Sequence, residues 1–339
     1  VRLKIPNGAT EFTDVIRGHV KFQNTLLDDQ ILMKTDGFPT YHLACVVDDH
    51  LMDISHVIRG EEWVNSTPKH VIMYKSFGWE APNFAHLPLL VNPDRTKLSK
   101  RQGDASVDYY KDKGYEPAAL LNFVALLGWS PSDIPEIFNL QQLVEHFSLE
   151  RTHKGASVVN MDKLDWVNEQ HLRALIQNEL DATVDKLQSI LKEKLHNDSE
   201  INQKLLNEKK YLSKVLITIQ HRIIFLRDIA EKAVYFFKDP IVEKDKNSFH
   251  SKMWKPSSAQ LISELLPKLE NLSEWKVESI TACAEELAKI NNIKVNDLFT
   301  GLRYLVTGCH AGAGVPHTME TVGKETSLRR IKNGLSVLS

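Results

Sequence analysis

Thr40-Tyr41-His42-Leu43-Ala44-Cys45-Val46-Val47-Asp48-Asp49-His50-Leu51-Met52-Asp53-Ile54-Ser55-His56-Val57-Ile58-Arg59-Gly60-Glu61-Glu62-Trp63 is the stretch from which the fold is read. Tyr41, Ala44, Cys45, Asp48 and Leu51 recur at helical spacing, and Val57-Ile58-Arg59 is a short apolar strand running into Gly60. The order is helix, strand, turn, helix, with Glu61-Glu62-Trp63 opening the second helix. An arginine at the carboxyl end of a buried strand can take a carboxylate in a two-pronged pair, and a tryptophan beside it offers a flat face for stacking. Together they suit a site for an acidic amino acid next to a nucleotide.

Downstream, the apolar run His86-Leu87-Pro88-Leu89-Leu90-Val91 has the length of a strand and stops at Asn92-Pro93-Asp94. The polar stretch Asp94-Arg95-Thr96-Lys97-Leu98-Ser99-Lys100-Arg101 follows, four cations and two hydroxyls in eight residues. Its lysines should ride on a loop at the sheet's edge, where open α/β sheets place ligands. Such a loop can close on a polyphosphate, with ammonium groups as mobile charges and hydroxyl and backbone N–H donors filling the other acceptor sites. Alone, Lys-x-Ser-Lys is more often a solvated charge run; the strand-end arginine upstream raises the phosphate reading.

The stretch from Gly37 to Arg101 resembles the second half of the catalytic domain of class I glutamyl-tRNA synthetases. Lys97-Leu98-Ser99-Lys100-Arg101 matches the Lys-Met-Ser-Lys-Ser loop of the class, with leucine for methionine and arginine for the last serine. The likeness covers nearly the whole chain and is strongest from Arg2 to Asn168. It fits the bacterial and organellar branch better than the eukaryotic cytosolic one, whose anticodon end is built of β-barrels. The resemblance implies an α/β catalytic half, a partial class I Rossmann nucleotide-binding domain, followed by mostly all-α stem-contact and anticodon-binding domains. Residues 1–40 would end an acceptor-stem-binding insertion, and 41–104 would be the second Rossmann half with its lysine loop. Residues 105–170 would be the helical stem-contact domain, and 171–339 the all-helical anticodon-binding domain.

By the same resemblance, L-glutamate is expected against Tyr41, His42, Leu43, Ala44 and Cys45, with Arg59 taking its side-chain carboxylate. Cys45 stands where many bacterial members carry asparagine. ATP is expected at Glu62, Trp63, Thr96, Lys97, Leu98, Ser99 and Lys100, with Lys97 and Lys100 as the catalytic pair converging with Arg59 on one cleft. Arg222 aligns with an arginine that reads the third anticodon base in some bacterial members. The implied reaction activates L-glutamate with ATP to glutamyl-adenylate and transfers it to the 3′ end of tRNA(Glu). Orientation and electrostatics carry both steps without a protein nucleophile, and Mg2+ is the only expected cofactor. Further expectations are a monomer in the mitochondrial matrix. Whether tRNA(Gln) is also charged is left open.

Composition frames these expectations. The chain has 339 residues, 42% hydrophobic, enough for two or more ordinary cores. A net charge of −2 announces no global nucleic-acid binder, so any RNA contact must be local. Three scattered cysteines, Cys45, Cys283 and Cys309, make neither a disulfide frame nor a zinc quartet and point to a reducing compartment. No apolar run approaches membrane-spanning length, and no signal-like segment opens the chain. No His-x-Gly-His occurs, and the chain opens at Val1 within a region that reads as β-rich. Both point to a missing amino-terminal part and to a piece that does not charge tRNA by itself.

In chain order, residues 1 to about 40 read as short antiparallel strands. Thr67–Gly78 reads as a packing helix, with Pro68 near its start and Val71, Ile72, Tyr74 and Phe77 on one face. Asp108–Lys113 and the apolar Pro117–Trp129 should be helices, the second buried, followed by Leu140–Phe147 and Met161–Arg173. Beyond about Glu169, amphipathic helices are expected over Leu180–Leu195, Ile201–Phe237, Ser257–Asn271, Glu278–Asn291, Val295–Thr307 and Lys324–Val337. The basic cluster Lys209, Lys210, Lys214, Arg222 and Arg227 is a candidate phosphate-facing strip, against the commoner reading of a solvated face. Gly308–Pro316 lacks the strand-turn-helix setting of a dinucleotide loop and reads as a helix connection.

Two rivals come from other classes. His42, Asp48, Asp49, His50 and His56 could hold a metal, but helical spacing puts only His42 and Asp49 on one face. A non-catalytic tRNA-binding piece is the second. The nearest enzymatic alternative, a glutaminyl-tRNA synthetase, is disfavoured by the all-helical carboxyl-terminal block.

Overall fold

The computed structural model describes residues 1–98, 106–131, 135–243 and 253–338, and the chain divides into two units, residues 1–113 with 117–167 and residues 114–116 with 168–339. In the first unit, β1 (Ala9–Asp14) and β2 (Gly18–Gln23) form the expected antiparallel hairpin. Helix α1 (Tyr41–Leu51), strand β3 (His56–Gly60), helix α2 (Thr67–Phe77) and strand β4 (Asn83–Leu87) follow. β3 and β4 run parallel, from His56 opposite Asn83 to Gly60 opposite Leu87, so the chain must cross over between them; α2 is that crossover. The sheet order is β2-β1-β4-β3, and one parallel pair, Asp14 with Phe84, joins the hairpin to β4.

Local chemistry sets these boundaries. α2 carries Pro68 in its first turn and ends at Gly78, whose left-handed φ of 72° stops the helix. Ile72, Met73 and Tyr74 of α2 pack with Leu3, Leu32, Val46 and Phe84 as the core of this unit. On α1 only Val46 is fully buried. Tyr41 and Leu51, two of the residues at helical spacing, are exposed, as is Phe77 of α2.

Three further expectations need correction. Glu61 opens not an α-helix but the 3₁₀ segment Glu61–Ser66, which hands over to α2. The strand expected over His86–Val91 is two strands: β4 ends at Leu87, and β5 (Leu90–Val91) pairs in a second sheet with β6 (Ser157–Val158). Pro88, lacking an N–H, cannot continue the ladder between them. After α3 (Val107–Lys113), α4 (Pro117–Ala125) stops short of Trp129 and leaves Leu121 and Val124 exposed, so it is not a buried helix. Its buried Asn122 donates to Glu136 O (2.9 Å) and accepts from Phe138 N–H (2.8 Å), tying α4 to the segment before α5 (Leu140–His146). α6 (Met161–Asn178) runs past the expected Arg173.

No strand occurs among the described residues of the second unit. Its helices are α7 (Leu180–Leu195), α8 (Gln203–Asn207), α9 (Lys209–Ile219), α10 (Asp228–Lys232), α11 (Ser258–Glu270), α12 (Val277–Ile290), α13 (Val295–Thr307), α14 (Val315–Val322) and α15 (Lys324–Leu338). The helix expected over Ile201–Phe237 is broken into α8, α9, α10 and a 3₁₀ turn. Leu206, Leu212, Leu216, Ile223, Ile229 and Phe236 are all buried, on more than one face of any straight helix, so the segment folds back around one core. Asp228 fixes the bend by accepting from the N–H groups of Ile224 (2.9 Å) and Phe225 (3.0 Å). A second core forms among α11 to α15. Residues 308–314 connect α13 to α14, as expected of the glycine-rich stretch.

Candidate active site

Arg59 stands near the carboxyl end of β3, and neutral groups hold its guanidinium. Nε donates to His86 Nε2 (3.1 Å), Nη2 donates to Thr67 Oγ1 (2.8 Å), and Nη1 lies 3.5 Å from His70 Nδ1. Parallel register sets His86 opposite Arg59. Thr67 and His70, one turn apart at the start of α2, bring their side chains to the same place. No carboxylate pairs with Arg59 among the described residues. Behind it, the His86 and Asp14 side chains are fully buried, with Nδ1 2.5 Å from Asp14 Oδ2. Burial pushes the Asp14 carboxyl up, but hydrogen bonds from His86 and from backbone N–H groups of Arg17, His86 and Ile16 outweigh this and hold it below its ordinary value.

Aromatic rings wall the front. The guanidinium carbon lies 5.6 Å from the Trp63 ring centroid, Trp63 lies 4.9 Å from Tyr41, and His42 is within 6.3 Å of Trp63. His42 Nδ1 approaches His70 Nε2 at 2.9 Å. Burial, then the Arg59 charge and the neighbouring histidines, bring His70 down to about 3; burial, then Lys69 and Arg59, lower His42 as well. Both imidazoles are therefore neutral at physiological pH. Cys45 donates its thiol hydrogen to His42 O at 3.5 Å, and burial followed by Asp49 pushes it up to about 11. A neutral thiol thus fills the space expected of a polar ligand-binding group. Leu43 packs on the core, and Ala44 N–H donates to Thr40 O in the first turn of α1.

Tyr41, His42, Cys45, Arg59 and Trp63 are thus brought together, joined by Asp14, Thr67, His70 and His86, which the sequence reading missed. A histidine inside the largely apolar β4 carries a signal, because such a group is rarely buried unpaired, whereas Asp14 ends a mixed polar strand and carries none. Glu62 turns its carboxylate back against Gly60, and Glu61 pairs with Arg17. Thr96, Lys97 and Leu98 sit on a hairpin rather than an open loop: Val91 bridges Lys97, Asn92 N–H donates to Thr96 O, and Leu98 N–H donates to Leu90 O. The Thr96 hydroxyl is spent on Asp94 (2.6 Å) and Asn92 (3.0 Å), so it is not free for phosphate. Lys97 is exposed, and no hydrogen bond or ion pair of the described residues joins it to Arg59. Ser99 and Lys100 lie outside the described residues.

The metal rival's residues are spent elsewhere. His50 stacks flat on Trp79 at 3.9 Å, His56 meets Ser55 at 3.0 Å, and the described residues hold no cluster of three or more His, Cys, Asp or Glu placed for a metal. In the second unit the basic strip shrinks. Lys209 pairs with Asp185 (2.5 Å) and Arg227 lies over Phe225 (5.0 Å), whereas Lys210, Lys214 and Arg222 are exposed. Arg222 is within electrostatic reach of Arg303, which donates to Ala313 O (2.8 Å) in the 308–314 connection.

Residues 1–166 match the family model of class I tRNA synthetase (E and Q) catalytic domains, and residues 182–335 match an anticodon binding domain. A glutamate–tRNA ligase of Chlorobium chlorochromatii is 42% identical over all of this chain and 67% of its own length; one from Prosthecochloris aestuarii is 41% identical over 99% and 66%. The chain spans about two thirds of the length of these relatives. A solved glutamate tRNA ligase from Elizabethkingia meningosepticum, in complex with its amino acid, superposes with a TM-score of 0.80 at 33% identity, covering 100% of this chain and 68% of that one. A relative this similar over two thirds of its length carries the assignment beyond fold alone, and the chain belongs to the glutamate–tRNA ligases of the class I aminoacyl-tRNA synthetases.

Proposed function

We propose that Arg59 receives the side-chain carboxylate of L-glutamate, with Tyr41, His42 and Cys45 lining the pocket and Trp63 facing the nucleotide. One observation carries this: a half-buried guanidinium is oriented by neutral acceptors and has no carboxylate partner among the described residues, so an acidic ligand completes it. In the whole protein the reaction is activation of L-glutamate by ATP to the adenylate and transfer to tRNA(Glu). The chain's own share is orientation and charge, Arg59 for the amino acid and Lys97 and Lys100 for the phosphates. Mg2+ is the cofactor proposed to accompany ATP. Lys210, Lys214 and Arg222 are proposed to meet tRNA phosphates, with the chain acting as a monomer.

ATP–pyrophosphate exchange tests the site. Arg59→Ala should cut kcat/KM for glutamate about a hundredfold while tRNA affinity is kept. Unchanged glutamate dependence removes Arg59 from the pocket. Lys97→Ala should slow exchange far more than it weakens glutamate binding, as for a contact strengthened in the transition state; equal losses in both count against it. Charging assays with glutamate and glutamine on both tRNAs separate this activity from a glutaminyl-tRNA synthetase, against which the all-helical second unit speaks. The proposed compartment is the mitochondrial matrix, supported by the branch resemblance; a tagged protein that stays in the cytosol removes it.

A further inference from the structure

We propose that Asp14 and His86 are positioning residues that aim the Arg59 guanidinium and thereby set how strongly a side-chain carboxylate is preferred over an amide. The proposal rests on Arg59 being the glutamate partner. Asp14 Oδ1 accepts the backbone N–H groups of Arg17 (2.9 Å), Ile16 (3.0 Å) and His86 (3.3 Å), while Oδ2 faces His86 Nδ1 at 2.5 Å. An ionised carboxylate has no hydrogen to give, so Nδ1 carries the imidazole proton and Nε2 presents a lone pair. That lone pair receives Arg59 Nε–H. The Asp14 charge therefore compensates the half-buried cation through one imidazole, without pairing with it directly. Beyond the N–H groups facing Thr67 and His70, Nη1 and Nη2 each have a second N–H for the ligand, a pair that a carboxylate takes better than an amide oxygen.

The geometry makes one substitution unusually informative. In Asp14→Asn the three backbone N–H groups require an oxygen at the Oδ1 position, so the amide nitrogen must take the Oδ2 position and donate to His86 Nδ1. His86 then carries its proton on Nε2, where it meets Arg59 Nε–H, donor against donor. Arg59 loses its aim although no atom of the pocket has been deleted.

The experiment uses the full chain with nitrogen-edited NMR of labelled histidine, alongside dissociation constants for L-glutamate and L-glutamine. The native chain should show His86 protonated on Nδ1. Asp14→Asn should move that proton to Nε2 and weaken glutamate by about tenfold or more, with glutamine changed less than about twofold. Both changes together support the proposal; either one missing overturns it. Arg59→Ala is the control. Native glutamate affinity in that variant sinks the glutamate reading itself, whereas lost affinity there with native affinity in Asp14→Asn sinks only the positioning role. Should Asp14→Asn fail to fold, His86→Gln, whose amide oxygen can still accept from Nε, is compared with His86→Leu. Glutamate affinity kept by the first and lost by the second supports the proposal, and equal loss overturns it.

Discussion

His70 shows what burying an imbalance of like charges does to one residue. It is 2% exposed and titrates at about 3, against about 6.5 for a free imidazole. The unfolded chain therefore takes up the proton first as pH falls. Stability from this group is complete above about pH 6.5 and drains by about 1.4 kcal/mol per pH unit below it, down towards the native value. His42 acts in the same direction. Urea midpoints should fall between pH 7 and 5, and His70→Gln should flatten that slope by about one proton's worth; an unchanged slope would show that His70 is not the group responsible. Arg59 and its aromatic neighbours were legible because a strand-end arginine beside tryptophan is a local pattern. Asp14, His70 and His86 were not, because each gains its meaning from a residue at least 11 positions away.

Among the elements, the helices of the second unit were legible where an apolar stripe faces one core. α13 matches its expected bounds, and α11, α12 and α15 differ by about one residue at either end. Ile201–Phe237 misled because its apolar residues serve a bend, and the bend depends on Asp228 capping a turn ahead of itself. His86–Val91 misled because one proline divides a run that hydropathy alone joins. Close helix approach leaves its own trace: a Cβ at Gly334 on α15 would lie 2.5 Å from Leu305 Cδ2 on α13. Gly334→Ala should therefore lower stability by about 1–2 kcal/mol, although alanine is the better helix former. A raised Tm would mean that Leu305 yields freely. Arg330, 5% exposed, donates to Val306 O, Tyr235 O and Lys238 O and pairs with Asp239. Arg330→Leu should cost about 3 kcal/mol or more by stranding those carbonyls, and Arg330→Lys should not restore it, lacking the planar fork. Chemical denaturation of both variants checks this.

Over the whole molecule, composition was a poor guide to partners and a fair guide to size. A net charge of −2 conceals any local basic surface, and the family likeness, not the charge, located the RNA-facing half. If Lys210, Lys214 and Arg222 each neutralise a phosphate, removing all three should make the log–log salt dependence of tRNA binding shallower by roughly 2–3. Lys209→Ala should leave it unchanged, since that ammonium is committed to Asp185. A slope unaltered by the triple variant would return the strip to ordinary solvated surface. The two helical cores of the second unit could be anticipated as burial but not as two, because sequence spacing does not say which stripe meets which.

Of the six tryptophans, Trp129 is buried beside Phe138 and Phe147 under the Arg151 guanidinium (5.7 Å), whereas the guanidinium over Trp63 is that of Arg59. That contact makes the indole an optical gauge: an acid arriving at Arg59 alters the field across the excited ring, and the emission of this one chromophore shifts while the others stay dark to the event.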